Sequence, residues 1–239
     1  MYSDLFCRVY NVLGWNVYPE ALGEKLLLWM QRRGLRPGRV LDLACGTGVL
    51  CDILRQHGME AQGVDLSTGM ITVARENFPE VAFHVGNMIT FRPQAPCDLI
   101  TCTGDALNHL GREADVKAML ENTFASLSPG GYFIFDLLDE GEISDSEPFE
   151  MDFTEHTRVW FQMTREGSRG VNLRIRVFED GLPALEENIR ETLYEPGWIC
   201  RALEKTGFEV LRCHHSMLEE DTPGSTWFVI ARRPANTKS

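Results

Sequence analysis

The sequence has no hydrophobic run long enough to cross a membrane. No stretch of about 18 uncharged apolar residues occurs, and a membrane-spanning helix needs roughly that length. The first residues, Met1-Tyr2-Ser3-Asp4, also lack the basic-then-apolar order of a secretory signal peptide. We therefore expect no membrane partner and a cytoplasmic location.

Paired cysteines and metal-binding clusters are missing too. The seven cysteines are an odd number, and no two of them are spaced as C-x-x-C. His214 and His215 are adjacent, so on a strand they would face opposite sides. No group of His, Cys, Asp and Glu has the spacing of a metal site. We therefore expect free cysteines in a reducing compartment, with no disulfide and no metal.

Acids outnumber basic residues. The 239 residues include 23 Lys and Arg against 35 Asp and Glu, which gives a net charge of −12. Because polyphosphate repels such a chain, we expect no nucleic-acid partner. Internal repeats and low-complexity linkers are absent, and 44% of the residues are hydrophobic. The composition therefore predicts a single domain over residues 1–239 with a large core.

The sequence does contain a strand, a glycine turn and an acid in the order of a nucleotide-type site. The run Val40-Leu41-Asp42-Leu43-Ala44-Cys45-Gly46-Thr47-Gly48 predicts a buried strand that leads into a glycine turn and then a helix. Asp65 follows Gly46 by 19 positions, at the end of a second apolar run. That spacing is typical of an acid that binds ribose hydroxyls. The third glycine of a dinucleotide fingerprint is replaced by Cys51, which argues against an NAD-type site.

These segments resemble the motifs of the class I S-adenosylmethionine (SAM)-dependent methyltransferases. The glycine run resembles motif I, and Asp65-Leu66-Ser67-Thr68-Gly69-Met70 resembles the second motif, in which the acid binds the ribose diol and the methionine lies against adenine. Val81-Ala82-Phe83-His84-Val85-Gly86-Asn87-Met88 resembles the third, although Asn87 stands where the family usually has Asp. An amide oxygen still accepts the adenine hydrogen bond, without adding charge. The resemblance implies SAM contacts at Tyr10, Tyr18, Asp42, Ala44, Gly46, Gly48, Asp65, Leu66, Met70, Asn87, Met88 and Cys102.

The resemblance also implies an α/β fold with a Rossmann-like, mostly parallel sheet of seven strands and helices on both faces. Alternating strand and helix patterns over residues 38–137 agree with parallel βαβ units. Ligands bind such sheets at the carboxyl ends of the strands. Motif I, Asp65, Asn87, the stretch from Cys102 to Asp105, and Asp136 all fall at predicted carboxyl ends, so we expect them to meet in space.

Two additions to this sheet are predicted. Residues 1–18 are rich in aromatics and are interpreted either as a lid over the SAM site, with Tyr10 and Tyr18 facing the SAM carboxylate, or as core packing. Residues 142–194 are interpreted as an antiparallel substrate subdomain inserted before the last helix, with strands near 158–163 and 171–178 and a third after a turn at 181–183. Residues 139–155 carry eight acids and no Lys or Arg, which indicates a solvated surface or an acidic rim for a cationic substrate.

The chemistry is hardest to assign from sequence, because methyl transfer chiefly requires orientation of the nucleophile and exclusion of water. His109 is the candidate catalytic residue, since histidine readily accepts a proton near neutrality; alternatively it packs against or caps the next helix. Candidate substrate contacts are Asp105, Asn108, His156 and Trp160.

The sequence thus predicts a SAM-dependent methyltransferase that acts on a nitrogen or oxygen of a small-molecule acceptor and releases S-adenosylhomocysteine. A methyltransferase of protein or RNA and a non-catalytic SAM-binding protein remain alternatives, as does, less favoured, an NAD-type oxidoreductase.

Overall fold

The computed structural model describes residues 2–143, 147–152, 154–179, 184–219, 224 and 226–235. In chain order the elements are α1 (Asp4–Val9), α2 (Val17–Arg32), β1 (Arg39–Leu43), α3 (Val49–Gln56), β2 (Glu60–Asp65), α4 (Thr68–Asn77), β3 (Ala82–Val85), β4 (Cys97–Cys102), a 3-10 helix (Ala106–His109), α5 (Glu113–Ser126), β5 (Leu127–Leu138), a second 3-10 helix (Glu140–Glu142), β6 (Phe149–Asp152), β7 (Thr157–Glu166), β8 (Gly170–Glu179), β9 (Leu185–Thr192), α6 (Pro196–Thr206), β10 (Glu209–His214) and β11 (Thr226–Arg232).

The main sheet has seven strands in the order β10-β11-β5-β4-β1-β2-β3. β1 pairs in parallel with both β2 and β4, and β4 pairs in parallel with β5. Only β11 runs against its neighbours, pairing antiparallel with β5 and β10. The predicted α/β fold is therefore confirmed, and the order reverses beside β1, where open α/β sheets bind ligands.

Helices cover both faces of this sheet. Val40 of β1 packs in a layer with Leu26 of α2 and Leu54 of α3. Leu41, the next residue, packs in the opposite layer with Leu120 of α5. Successive side chains on a strand point to opposite faces, so one strand anchors both layers.

The insert is a second, four-stranded antiparallel sheet in the order β6-β7-β8-β9. The sequence predicts three of these strands. The fourth, β6, lies within the acidic run, and all four of its residues are exposed. The predicted turn at 181–183 lies outside the described residues.

The N-terminal segment packs between the two sheets. Phe6 of α1 and Leu13 are buried against Val159, Ile175 and Val177 of the insert. The aromatic-rich start of the chain is therefore part of a small core that it shares with the insert.

In the described part of the chain, no helix is long and apolar enough to span a membrane. The described residues also hold no group of three or more His, Cys, Asp or Glu side chains that could bind a metal ion. All seven cysteines fall within the described ranges, and each is a free thiol.

Candidate active site

A cavity of about 780 Å³ opens at the carboxyl ends of the parallel strands. This volume lies in the upper part of the range usual for ligand sites. The main sheet forms its floor, while the N-terminal segment and β9 form two of its walls. The predicted site residues that line it are Tyr10, Tyr18, Asp42, Ala44, Gly46, Asp65, Leu66, Met70, Asn87, Met88, Asp105 and His109.

Asp65, at the end of β2, is held by backbone amides from two segments. Its Oδ2 accepts a hydrogen bond from the Gly46 amide at 3.0 Å, and its Oδ1 accepts from the Ser67 amide at 2.8 Å. Burial raises the pKa of Asp65, while these amide bonds oppose the rise. A carboxylate has about four acceptor sites, so Asp65 keeps acceptor capacity towards the cavity.

The two glycines of the turn differ in what surrounds them. Gly46 has a φ of +52°, and an added Cβ there would meet no atom within 4 Å, so its backbone faces open space. Gly48 has a φ of +82°, and its added Cβ would overlap the Phe83 ring. Gly48 does not line the cavity, because the turn directs it towards Phe83 and Ala74; its predicted direct SAM contact is not supported by this geometry.

Asp42 lies deep in the cavity floor. Its Oδ1 accepts a hydrogen bond from the Thr101 hydroxyl at 2.7 Å, and the Cys51 thiol lies 3.8 Å from its Oδ2. Burial raises the pKa of Asp42 to about 7.

Cys102 is fully buried below the cavity, with its sulfur 4.0 Å from that of Met88. The predicted SAM contact by the Cys102 side chain is therefore not supported either.

At the end of β3, the Asn87 side chain is exposed at the cavity edge. Its Oδ1 accepts a hydrogen bond from the Ile89 amide at 2.9 Å. This local turn uses one acceptor site on the amide oxygen and leaves the amide NH₂ and the second acceptor site available.

A buried carboxylate, Asp136, organises the carboxyl ends of β4 and β5. It accepts hydrogen bonds from the amides of Gly104 at 2.9 Å and Asp105 at 2.8 Å. It also accepts a bond from the Tyr18 hydroxyl, so that hydroxyl is directed at Asp136 rather than at a ligand. Asp105 adopts a φ of +57°, which projects its side chain from a tight turn into the cavity.

Asn108 has a structural position. It is fully buried; its Nδ2 donates to the Thr192 carbonyl at 2.8 Å, and its Oδ1 accepts from the Leu138 amide at 3.1 Å. These bonds join β5, β9 and the first 3-10 helix. Because its polar atoms face those strands, Asn108 does not line the cavity, and its predicted substrate contact is not supported.

The two insert residues predicted to contact substrate also lie away from the cavity lining. Trp160 packs under the Arg176 guanidinium, 4.9 Å from the ring centroid. Its neighbours Val159 and Phe161 join the core under the insert. Because successive side chains of a strand point to opposite faces, Trp160 lies on the outer face of the insert, away from that core. His156 is exposed in the connection between β6 and β7.

The acids of the acidic run that form the described ion pairs are exposed or half-buried at the surface. Asp152 and Glu150 pair with Arg158 at 3.0 and 3.6 Å, and Glu140 pairs with Arg165 at 3.1 Å. None of the described residues in 139–155 lines the cavity. The solvated-surface interpretation fits this arrangement, and the acidic-rim interpretation does not.

Acids from another strand line the cavity instead. Glu187 and Glu191 of β9 both do so, and Tyr2 lies in the same lining. Glu187 Oε1 accepts a hydrogen bond from the Ser3 amide at 2.8 Å, which links β9 to the N-terminal segment. Sequence reasoning missed these residues; the available signal was the alternation of Glu187, Ile189 and Glu191 along one face of a strand.

Comparisons with known proteins agree with this architecture. Residues 40–131 match the model of a family described as a methyltransferase domain. A dTDP-3-amino-3,6-dideoxy-alpha-D-glucopyranose N,N-dimethyltransferase of Streptomyces fradiae is 28% identical over 132 residues, which are 55% of this chain and 51% of that protein. A dTDP-4-amino-2,3,4,6-tetradeoxy-D-glucose N,N-dimethyltransferase of Saccharopolyspora spinosa is 28% identical over 56% of this chain and 53% of that protein. The chain thus spans about half the length of these curated relatives.

Solved structures extend the likeness to nearly the whole chain. A SAM-dependent methyltransferase from Clostridium acetobutylicum has a TM-score of 0.79 at 21% identity, covering 89% of this chain and 91% of that one. The SAM-bound amino pentose methyltransferase CalS10 from Micromonospora echinaspora has a TM-score of 0.77 at 22% identity, covering 98% of both chains. The chain therefore has the fold of these methyltransferase structures, and its residues 40–131 match the methyltransferase-domain family model.

Proposed function

We propose that this protein is a SAM-dependent methyltransferase that methylates a small-molecule acceptor, most favourably an amine, and releases S-adenosylhomocysteine. The observation that carries this proposal is the cavity at the carboxyl ends of the strands. It brings Asp65, Gly46 and Asn87 together with Asp105 and His109, although these residues come from separate segments of the chain.

The residues on the β1–β3 side suit SAM. Asp65 retains acceptor capacity for a ribose diol, and the open backbone face at Gly46 admits close approach of a ligand. Met70 and Leu66 offer apolar contacts for an adenine ring, with Asn87 at its polar edge. Bound SAM supplies an electrophilic methyl group on a sulfonium.

The remaining walls suit a small acceptor. β9 and the N-terminal segment cover the side of the cavity next to Asp105 and His109, which favours an enclosed molecule over a protein or RNA surface. We assign residues 1–18 as a lid and residues 142–194 as the substrate subdomain of a single domain. The free cysteines fit a reducing, cytoplasmic location.

The charge of the cavity favours an amine over a hydroxyl. The acids Asp105, Glu187 and Glu191 line it together with Arg190, so an ammonium group entering it would meet mainly acidic side chains. The two curated relatives named above are N,N-dimethyltransferases of amino sugars. We therefore propose an amino sugar, or a compound with a similarly placed amine, as the acceptor.

Calorimetric titration with S-adenosylhomocysteine tests the cofactor site. We expect micromolar affinity, about 8 kcal/mol of binding free energy. Asp65→Ala should weaken it by roughly 1–3 kcal/mol, because a buried diol loses a charged acceptor. Asp98→Ala is the matched control: Asp98 likewise binds two amides, of Gly38 and Arg39, but at the opposite end of the sheet.

Turnover separates the proposed enzyme from a non-catalytic SAM-binding protein. Incubation with SAM and a panel of amino sugars, followed by mass spectrometry, should show transfer of one or two methyl groups. Wild-type protein that binds S-adenosylhomocysteine yet methylates no amine or hydroxyl acceptor would favour the non-catalytic alternative, and a lack of binding would contradict the proposal entirely.

A further inference from the structure

One wall of the cavity combines four groups that the cofactor site does not use. We call Tyr2, Asp105, His109 and Glu191 the acceptor wall. Tyr2 comes from the N-terminal segment, Asp105 and His109 from the first 3-10 helix and its start, and Glu191 from β9. All four line the cavity, although they span almost the whole length of the chain.

The carboxylate of Glu191 is largely buried and lacks a close donor. Its nearest charged neighbour is the His109 ring, whose Nε2 lies 3.9 Å from Glu191 Oε1, too far for a hydrogen bond. Burial lowers the pKa of His109, which disfavours the charged ring that an ion pair with Glu191 would require. Within the described residues, no other donor lies at hydrogen-bond distance from Glu191.

Tyr2 adds to the same wall a hydroxyl group that has no hydrogen-bond partner among the described residues. Its ring packs against Phe6 and meets the His109 ring edge-on, 6.4 Å between centroids. Burial raises the pKa of Tyr2 well above its usual range, so the hydroxyl keeps its proton. No hydrogen bond to this hydroxyl occurs among the described residues. The wall thus presents a carboxylate and a hydroxyl that both lack protein partners and face a ligand-sized space.

The two acids of the wall differ in their surroundings. Asp105 stands beside Asp136, and burial together with that charge raises the pKa of Asp105 to about 8. Burial raises the pKa of Glu191 to about 7. The cavity lining around them also carries Glu187, Arg190 and His109, together with Tyr2, Tyr10 and Tyr18, whose pKa values are raised by burial so that their hydroxyls keep their protons. The charge of Asp136 thus opposes ionisation of Asp105, whereas burial is what raises the pKa of Glu191.

We infer that Glu191 is a catalytic residue that accepts the proton of the incoming ammonium group, within a cationic-acceptor subsite completed by Asp105, His109 and Tyr2. This inference rests on the proposed methyltransferase function. An acceptor that arrives as R–NH₃⁺ gives one proton to the Glu191 carboxylate, which leaves R–NH₂ and a neutral carboxyl group. The freed electron pair on nitrogen is then the nucleophile, and Glu191 returns its proton to solvent as the product leaves.

Sinefungin is a suitable probe, because it is a SAM analogue in which an amine-bearing carbon replaces the sulfonium and its methyl group. Bound in the proposed SAM site, it would bring an ammonium to the acceptor wall without requiring the natural substrate. Calorimetric titrations should show that wild-type protein binds sinefungin about 10- to 100-fold more tightly than neutral S-adenosylhomocysteine, since a desolvated charge-assisted bond is worth that factor. Parallel titrations in phosphate and Tris buffers should show proton release on sinefungin binding.

The decisive variant is Glu191→Gln, which keeps the shape and removes the charge. Its preference for sinefungin over S-adenosylhomocysteine should be about tenfold smaller than that of the wild type, and most of the proton release should disappear. Its affinity for S-adenosylhomocysteine should stay unchanged. Retained S-adenosylhomocysteine binding also shows that the variant folds. Glu186→Gln is the matched control, because Glu186 is exposed on the outer face of β9 and pairs with Arg176 at 2.9 Å.

The outcomes of these titrations separate the role of Glu191 from the proposed methyltransferase function. A wild-type protein that binds both ligands equally, or a Glu191→Gln variant that keeps the preference and the proton release, would overturn the role of Glu191 and leave the proposed function standing. Failure of the wild-type protein to bind either ligand would instead overturn the proposed function, and this inference with it.

Discussion

Gly46 and Gly48, two positions apart in one turn, serve different purposes. Both have positive φ, at +52° and +82°. At Gly46 the space beyond the backbone is empty, so glycine leaves room for a ligand. At Gly48 the space is filled by Phe83, so glycine allows α3 to start close to β3. The same residue type therefore supports binding at one position and packing at the other.

Alanine substitutions should separate these roles. Gly46→Ala should cost about 1–2 kcal/mol of unfolding free energy, from the left-handed backbone alone, and should abolish S-adenosylhomocysteine binding. Gly48→Ala should cost more unfolding free energy, because Phe83 must also move. Denaturant unfolding and calorimetry measure the two effects. Normal ligand binding by Gly46→Ala would mean that the turn does not approach a ligand.

At the scale of elements, α1 and the insert act as one packing unit. Phe6 is fully buried among Val159, Ile175 and Val177, and the Ser3 amide bonds to Glu187 on β9. The same segment contacts the cofactor side, where the Thr47 hydroxyl donates to Asn11 Oδ1 at 2.8 Å. Removing either element would therefore expose the buried face of the other, so a point substitution tests the lid better than a deletion.

Phe6→Ala should loosen residues 2–18 without unfolding the main sheet. Such a substitution removes about 3–5 kcal/mol of packing, confined here to the small core. Hydrogen exchange should speed up in residues 2–18 and in β7–β8, and S-adenosylhomocysteine affinity should fall. Val12→Ala is the control, since Val12 is 58% exposed on the same segment. Unchanged affinity despite faster exchange would assign residues 1–18 to packing rather than to a lid.

At the scale of the whole molecule, the net charge of −12 includes several buried acids. Asp42 and Glu191 have pKa values raised to about 7, and Asp105 to about 8, with burial as the largest cause. The unfolded chain releases these protons near pH 4. Between pH 4 and pH 8 these groups therefore bind more protons in the native state than in the unfolded state, and their contribution to stability falls as pH rises.

We expect the ligand-free protein to lose stability steadily from pH 5 to pH 8. Each such group contributes a slope of up to about 1.4 kcal/mol per pH unit. Asp42→Asn should flatten the slope up to about pH 7, because a neutral amide replaces a group that loses its proton there. Denaturant midpoints at a series of pH values measure this. Equal slopes in the wild type and Asp42→Asn would show that Asp42 ionises freely in the native state.

The molecule also shows how far the sequence specifies its fold and site. The sequence by itself determined the parallel sheet, its glycine turn and the positions of Asp42, Gly46 and Asp65. These follow from local patterns: hydrophobic runs set the strands, and chain direction in βαβ units sends every strand's carboxyl end to one edge.

Only the tertiary structure decided which side chains of the insert face the cavity. Trp160 and Glu191 both lie on amphipathic strands, and period-2 alternation leaves open which face is covered. Phe6 packs against the inner face of the insert, and the Ser3 amide bonds to Glu187, 184 positions away. These two contacts determine which face of the insert is covered. The partner of Tyr18, Asp136, lies 118 positions along the chain. Contacts over such separations depend on how the sheets pack, so no local pattern could reveal them.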